Sequence, residues 1–254
     1  MIKKLFLTFL FCLLLTTSVF GVGFDADTKL LIHLDGSDGS TSDYTAETGQ
    51  TVSLEGTAQL DTAQKKFGTA SLLLDGNSDY VTVPDSADWD FGTGNFTIDL
   101  WVRFNANPTG VIGSFFEQYI NASNFTQFFV YNGNLRIQYY VGATSIIYVG
   151  VENPGFSADT WYHLAFVRYG TAQNNILIFI DGVSKSLTWY TNLAANANLD
   201  GLASILYIGW NQHYTGFFNG WFDEVRVSKG IARWTANFTP PVSEYTWRRI
   251  ISIQ

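Results

Sequence analysis

The chain has 254 residues, of which 46% are hydrophobic, 17% aromatic and only 14% charged. That is enough apolar material for one sizeable core, so extensive disorder is excluded. A formal charge of −8 repels phosphate and argues against nucleic acid as a partner, whereas cations and neutral glycans match such a surface better.

The first residues read "MIKKLFLTFLFCLLLTTSVFG": Lys3 and Lys4, an apolar run from Leu5 to Leu15, then small or polar residues. This order predicts a secretory signal peptide over residues 1–21, cut after Gly21 or Gly23, and a secreted, extracellular or cell-surface location. Either cut removes Cys12, the single cysteine, so no disulfide or cysteine metal site is expected in the mature chain. The rival reading is an uncleaved anchor, because residues 5–24 just reach the roughly 20 residues needed to span a bilayer. No later stretch does so, and no membrane span is expected after cleavage.

From there, turn signals recur about every ten residues and helical spacing is nearly absent, the pattern of an all-β sandwich or barrel. In chain order the strand candidates are "KLLIHL", "ASLLLDG", "DYVTV", "FTIDLWVRF", "GVIGSFFEQ", "QFFVYN", "NLRIQYY", "TSIIYVG", "WYHLAFVRY", "NILIFIDG", "SILYIG" and "WFDEVRV". Asn132-Gly133 and Asp181-Gly182 supply the two positive-φ positions of tight hairpin turns. In "FTIDLWVRF" a period of two places Ile98, Leu100, Val102 and Phe104 on a core face. Thr97, Asp99, Trp101 and Arg103 then look toward water or a ligand. "NILIFID" is apolar on both faces and reads as a strand covered on both sides. The chain divides into a single domain over 24–245 and a tail, 246–254, which is read as an extra strand, a linker or a frayed end.

In "WFDEVRV" the same alternation sets Trp221, Asp223, Val225 and Val227 on one face, with Phe222, Glu224 and Arg226 on the other. Glu224 and Arg226 are then neighbours able to pair. Asp223, among apolar residues, needs a cation or hydrogen-bond donors; one answer is that it accepts backbone N–H bonds and locks the strand end. A second acidic group, "DGNSDY", offers Asp75, Asn77 and Asp79 as alternate oxygen ligands in a turn, a Ca²⁺ pattern without the rest of an EF-hand loop. It is equally read as a polar hairpin turn.

Catalytic signatures are lacking: there is no G-x-S-x-G elbow and no H-E-x-x-H, and His33, His163 and His213 are scattered. Binding is the positive signal. Trp189, Tyr190, Trp210, His213 and Tyr214 fall in expected loops or strand ends, and Trp101 on the polar face of its strand. Flat aromatic faces of this kind stack on sugar rings while Asn and Asp side chains take the hydroxyls. Alternatively, these rings are the edges of an aromatic-rich core. Asn95, Asn121, Asn124 and Asn237 match the N-glycosylation acceptor pattern, which has meaning only in a glycosylating host.

"LLIHLDGS", "KFGTASLLLDGNSDYVTVPDSADWDFGTGNFTIDLWVRF", "TWYHLAFVR…NILIFIDGV" and "LYIGWN…FFNGWFDEVRVSKGIARWTANFTPP" occur in the order seen in laminin-G-like domains of the concanavalin A-like lectin/glucanase superfamily. The resemblance covers roughly residues 28–245. It implies a two-sheet antiparallel jelly-roll sandwich with its first and last strands side by side. With those strands adjacent, Asp35 and Asp223 approach each other and become a candidate Ca²⁺ pair, with backbone carbonyls as further ligands. The resemblance to pentraxin-like calcium-dependent binders also points to Asn211 and Gln212, in a loop without the acidic residues of that pattern. Laminarinase-type relatives carry E-x-D-x-E along one strand, and no such run exists here. The function expected is a secreted non-catalytic module recognising a glycan or a cell-surface ligand through rim loops, with Ca²⁺ as a candidate assistant. The alternatives are an extracellular adhesion module with a protein partner and, less favoured, a glycoside hydrolase.

Overall fold

A computed structural model describes residues 23–110 and 112–247. The expected signal peptide, Cys12 and most of the tail lie outside the described residues. In chain order the first strands are β1 (Gly23–Phe24), β2 (Thr28–Ile32), β3 (Tyr44–Thr45), β4 (Thr51–Glu55), β5 (Gln59–Asp61), β6 (Ser71–Asp75) and β7 (Tyr80–Val83). After a 3₁₀ turn at Ala87–Trp89 come the long strands β8 (Phe96–Phe104), β9 (Ile112–Asn121), β10 (Asn124–Tyr131), β11 (Asn134–Val141), β12 (Thr144–Val151) and β13 (Trp161–Arg168). The remainder are β14 (Ile176–Ile180), β15 (Val183–Ser184), β16 (Thr188–Thr191), β17 (Leu206–Ile208), β18 (Trp210–Asn211), β19 (Gly216–Phe217), β20 (Asn219–Lys229) and β21 (Thr246–Trp247).

Two antiparallel sheets face each other as the expected jelly-roll sandwich. One has the order β16-β12-β11-β10-β9-β17-β7-β4-β3, the other β15-β14-β13-β8-β20-β6-β5, with β2 also paired to β20. Their inner faces supply one core, with Ile98, Leu100, Phe166 and Ile178 from one sheet and Phe116, Phe128, Ile137 and Val149 from the other. The turns that permit this register are those the sequence marks. Asn132 and Gly133 take φ of 48° and 75°, and Asp181 and Gly182 take 51° and 73°, the left-handed pair of a primed hairpin turn. The first two tail residues form β21, which runs parallel to β1.

The outer face of the β8-bearing sheet is sealed, contrary to the expectation that it meets water or ligand. Residues 230–245 cross it as a strap. Phe238 donates its backbone N–H to Gly182 O at 2.9 Å, and Trp234 and Phe238 stack at 4.0 Å over the patch made by Ala165, Val167 and Phe179. A Cβ at Gly182 would lie 1.9 Å from Phe238 O, so the strap passes where only glycine admits it. Beneath, Asp99 receives Arg226 Nε at 2.9 Å and Nη2 at 3.1 Å, and also the Tyr245 hydroxyl. His163 Nε2 lies 3.4 Å from the same carboxylate. Burial alone would raise the Asp99 pKa, but Arg226 and His163 together outweigh it and hold the carboxyl down at about 2.

The faces of "WFDEVRV" also need correcting. The β20–β8 register shifts between Asp223 and Arg226, and Glu224 takes φ of 52°, a β-bulge that inserts one residue and resets the alternation. Phe222, Val225 and Val227 therefore share the core side. Asp223 opposes Trp101, and Arg226 opposes Asp99. Glu224 does not pair with Arg226; it accepts from Tyr245 N–H at 3.0 Å and meets His33 Nδ1 at 2.7 Å, tying the bulge to the strap and to the end of β2.

Candidate functional site

The other sheet presents a different outer face. On β7 and β17, Val81, Val83, Leu206 and Ile208 enter the core, so the period of two turns Tyr80, Thr82 and Tyr207 outward. Antiparallel pairing then aligns one residue per strand across the face: Ser53, Thr82, Tyr207, Glu117, Gln127, Gln138, Tyr148 and Thr191 stand side by side from β4 to β16. Polar groups occupy the middle of this row and aromatic rings flank them.

The segment from Trp210 to Phe217 folds back over that middle. Asn211 Nδ2 donates to Ser114 Oγ at 2.9 Å and to Gln127 Oε1 at 2.6 Å, while its Oδ1 accepts from Tyr214 N–H at 2.8 Å. Gln127 donates to Gln138, which also takes the Tyr214 hydroxyl at 3.3 Å. Glu117 accepts from the backbone N–H of Gln212 and from Ser114 Oγ. Burial pushes its carboxyl up to about 7, against these donors. The centre of the face is thus a polar network closed by the chain itself.

On either side aromatic rings remain partly open. Toward β7, Trp210 stacks on Phe217 at 5.6 Å with 9° between planes, meets Tyr207 edge-on at 5.4 Å and lies 4.8 Å from Tyr80; all four are half-buried. Toward β16, Tyr148 and Tyr190 lie 4.4 Å apart, with Tyr190 49% exposed. The Arg136 guanidinium sits 5.2 Å from the Tyr190 ring and is held by Glu152, which also accepts from the Tyr190 hydroxyl at 2.7 Å. His213 stacks on Phe125 at 4.2 Å and Tyr214 on Phe129 at 5.6 Å.

Of the seven expected ligand-binding residues, Trp210, His213, Tyr214 and Tyr190 come together on this face. Trp101 does not: it is 5% exposed, under Lys66 Nζ at 3.9 Å and Phe67, on the sealed sheet. Trp189 is not in a rim loop but in β16, packed against the core. Asn211 is fully buried and spends its amide on the network. Tyr80, Tyr207 and Phe217 are missed by the sequence reading, although the alternation of "DYVTV" and "SILYIG" carries the first two.

The expected metal positions mostly serve as internal acceptors. Asp75 Oδ1 receives the N–H groups of Asn77 and Ser78, a turn bond within "DGNSDY", and buried Asp79 receives Thr57 N–H at 2.7 Å. Asn211 is committed as above, and Gln212 approaches Glu117 through its backbone rather than offering a ligand pair with Asn211. Asp35 and Asp223 do approach. Asp35 binds the N–H groups of Thr69 and Ala70, and Asp223 Oδ2 those of Lys66 and Phe67 at 2.7 and 3.1 Å. Both carboxylates clamp one loop. Burial, with added repulsion from Glu224 and Asp35, pushes Asp223 up to about 8. Its Oδ1 is buried with no hydrogen-bond partner, and Asp35 accepts through Oδ1, so Asp223 Oδ1 and Asp35 Oδ2 are the oxygens this pair has to offer a cation. No group of three or more His, Cys, Asp or Glu side chains is placed to hold a metal among the described residues. No helix among them is long and apolar enough to cross a membrane.

Comparison with known proteins adds three findings. A family model described as the concanavalin A-like lectin/glucanases superfamily matches residues 75–233. A search of curated proteins found no match. Among solved structures, domain 4 of AbnA, a GH43 extracellular arabinanase from Geobacillus stearothermophilus solved with arabinotriose, is similar at 16% identity and TM-score 0.56. That likeness covers 81% of this chain and 94% of that one. The receptor-binding domain of a botulinum neurotoxin C/D mosaic serotype is similar at 12% identity and TM-score 0.56, and the binding domain of Paraclostridial Mosquitocidal Protein 1 at 13% and 0.57. Each toxin match covers 81% of this chain, which spans 49% of the toxin chain. At such identities the likeness is one of fold.

Proposed function

The chain belongs to the concanavalin A-like lectin/glucanase superfamily, and from that premise we propose that it is an exported, non-catalytic binding module that takes a glycan on the outer face of its nine-stranded sheet. The observation that carries this reading is the set of half-open rings around Trp210, on a face whose counterpart in the other sheet is sealed. Aromatic faces supply stacking area and edge polarity at little conformational cost. The arabinanase relative is extracellular and was solved with an oligosaccharide, and the toxin relatives are receptor-binding or binding domains; both kinds support a module that docks on a surface ligand.

Hydrolysis fits the face poorly. It needs two carboxyl groups about 5–10 Å apart across a cleft, whereas Glu117 has Tyr207 and Gln127 as its row neighbours and is occupied by the Gln212 N–H. Calcium enters at one place: Asp223 Oδ1, with Asp35 beside it, would hold the ion and brace the loop 64–70, away from the aromatic face.

A glycan-array screen of the wild type beside Trp210→Ala tests the reading. Loss of every positive signal in a variant that melts cooperatively supports it; unchanged signals reject it. Melting in EDTA and in millimolar Ca²⁺ tests the metal separately, since a native-state ligand raises Tm.

A further inference from the structure

The rings flanking the Trp210–Phe217 fold-back form two platforms, not one. The first is Trp210 with Tyr80, Tyr207 and Phe217; the second is Tyr190 with Tyr148, beside the Arg136–Glu152 pair. Tyr207 and Tyr148 belong to the same cross-strand row, on β17 and β12, and the strands between them are β9, β10 and β11. Four interstrand steps put the platforms roughly 19 Å apart. The row between them is closed: Glu117, Gln127 and Gln138 are 0%, 0% and 3% exposed, and their side-chain groups are already bonded to the fold-back. A ligand that uses both platforms must therefore pass over the fold-back instead of lying in the sheet.

We propose that the second platform is a distinct sugar subsite, and that the two together select an extended neutral oligosaccharide running across the strands over a short glycan. This rests on the glycan reading above. The chemistry of the second platform agrees with a sugar: Tyr190 is the most open ring on the face, and its orientation is fixed by the Glu152 hydrogen bond and by the guanidinium beside it. The occupant is neutral because Arg136, the cation beside Tyr190, is already engaged bidentately by Glu152, so the pair presents no net positive charge to hold an anion. Two platforms on one chain act through effective concentration, so a ligand long enough to reach both gains affinity far beyond either alone.

The test is calorimetric titration of the full chain with linear arabino-, xylo- and cello-oligosaccharides from disaccharide to hexasaccharide. The wild type is compared with Trp210→Ala, Tyr190→Ala and Tyr190→Phe. The expected result is a steep gain with length, and a loss of at least about tenfold for the hexasaccharide in Tyr190→Ala with short-ligand affinity unchanged. Tyr190→Phe retains the ring and keeps the long-chain affinity, which separates stacking from the Glu152 bond. Trp210→Ala weakens every length. Unchanged hexasaccharide affinity in Tyr190→Ala, with Trp210→Ala still weakened, overturns the second subsite and leaves the glycan reading standing. Unchanged affinity in Trp210→Ala, or no binding of any oligosaccharide by the wild type, overturns both.

Discussion

The two outer faces of this sandwich are built from the same alternation and end in opposite states. On the β8-bearing sheet, outward residues include Asp99, Trp101, His163 and Arg226, all at most 5% exposed, because residues 230–245 and the loop 64–70 cover them. On the nine-stranded sheet, the chain covers only the middle of the face and leaves rings open on both sides. A polar residue on a strand's second face thus says nothing about water until the segment that crosses it is known. Here one face is spent on holding the fold, and the other keeps half-open aromatic rings on both sides of the fold-back.

The largest effect that would sharpen this contrast is on stability. Arg226→Ala leaves Asp99 charged and buried without its partner, and removal of one member of a buried pair costs about 3–5 kcal/mol. Chemical denaturation should show that loss, and glycan affinity measured on the folded fraction should be unchanged. A stability change below about 1 kcal/mol would mean that the sealed face contributes far less than its network implies.

Next in size is the effect on binding. Trp210→Ala should lose about 2 kcal/mol of glycan affinity, the threshold of a binding hot spot, with the fold retained. The third expectation concerns pH. Asp223 and Glu117 have folded pKa values raised to about 8 and about 7, so the folded chain binds their protons more tightly than the unfolded chain does. The stability they contribute is complete below the ordinary carboxylate range and declines as pH rises through those folded values. Asp223→Asn keeps an acceptor for the Lys66 and Phe67 N–H groups and should flatten the decline between the ordinary carboxylate range and about pH 8; an unaltered Tm-versus-pH curve would refute the assignment. Asp99 behaves oppositely, its contribution being lost as pH falls through about 2. The smallest effect is at Thr215, exposed on the fold-back, where Thr215→Ala should shift stability by less than about 0.5 kcal/mol.

Much of the architecture is legible in the sequence because its signals are local. "FTIDLWVRF" coincides with β8, and the Asn132-Gly133 and Asp181-Gly182 turns take the φ values their chemistry demands. What escapes is non-local. The bulge at Glu224 carries no glycine to announce it, so strict alternation misassigns every side chain after Asp223. The burial of Trp101 depends on Lys66 and Phe67, in a loop more than thirty residues earlier in the chain. The commitment of Asn211 to Ser114 and Gln127 depends on a fold-back whose strands are two residues each, too short to leave a periodic signal. Tyr80 and Tyr207 were readable as outward positions, yet only the pairing of β7 with β17 brings them beside Trp210.

The most direct test of the division between the two faces is hydrogen–deuterium exchange, with and without the tightest-binding oligosaccharide from the array. Protection confined to segments 80–82, 146–150, 188–191 and 206–217, with 97–103, 163–168 and 226–245 unchanged, is the expected result. Protection centred on 230–245, or none on 206–217 at saturating ligand, would contradict it.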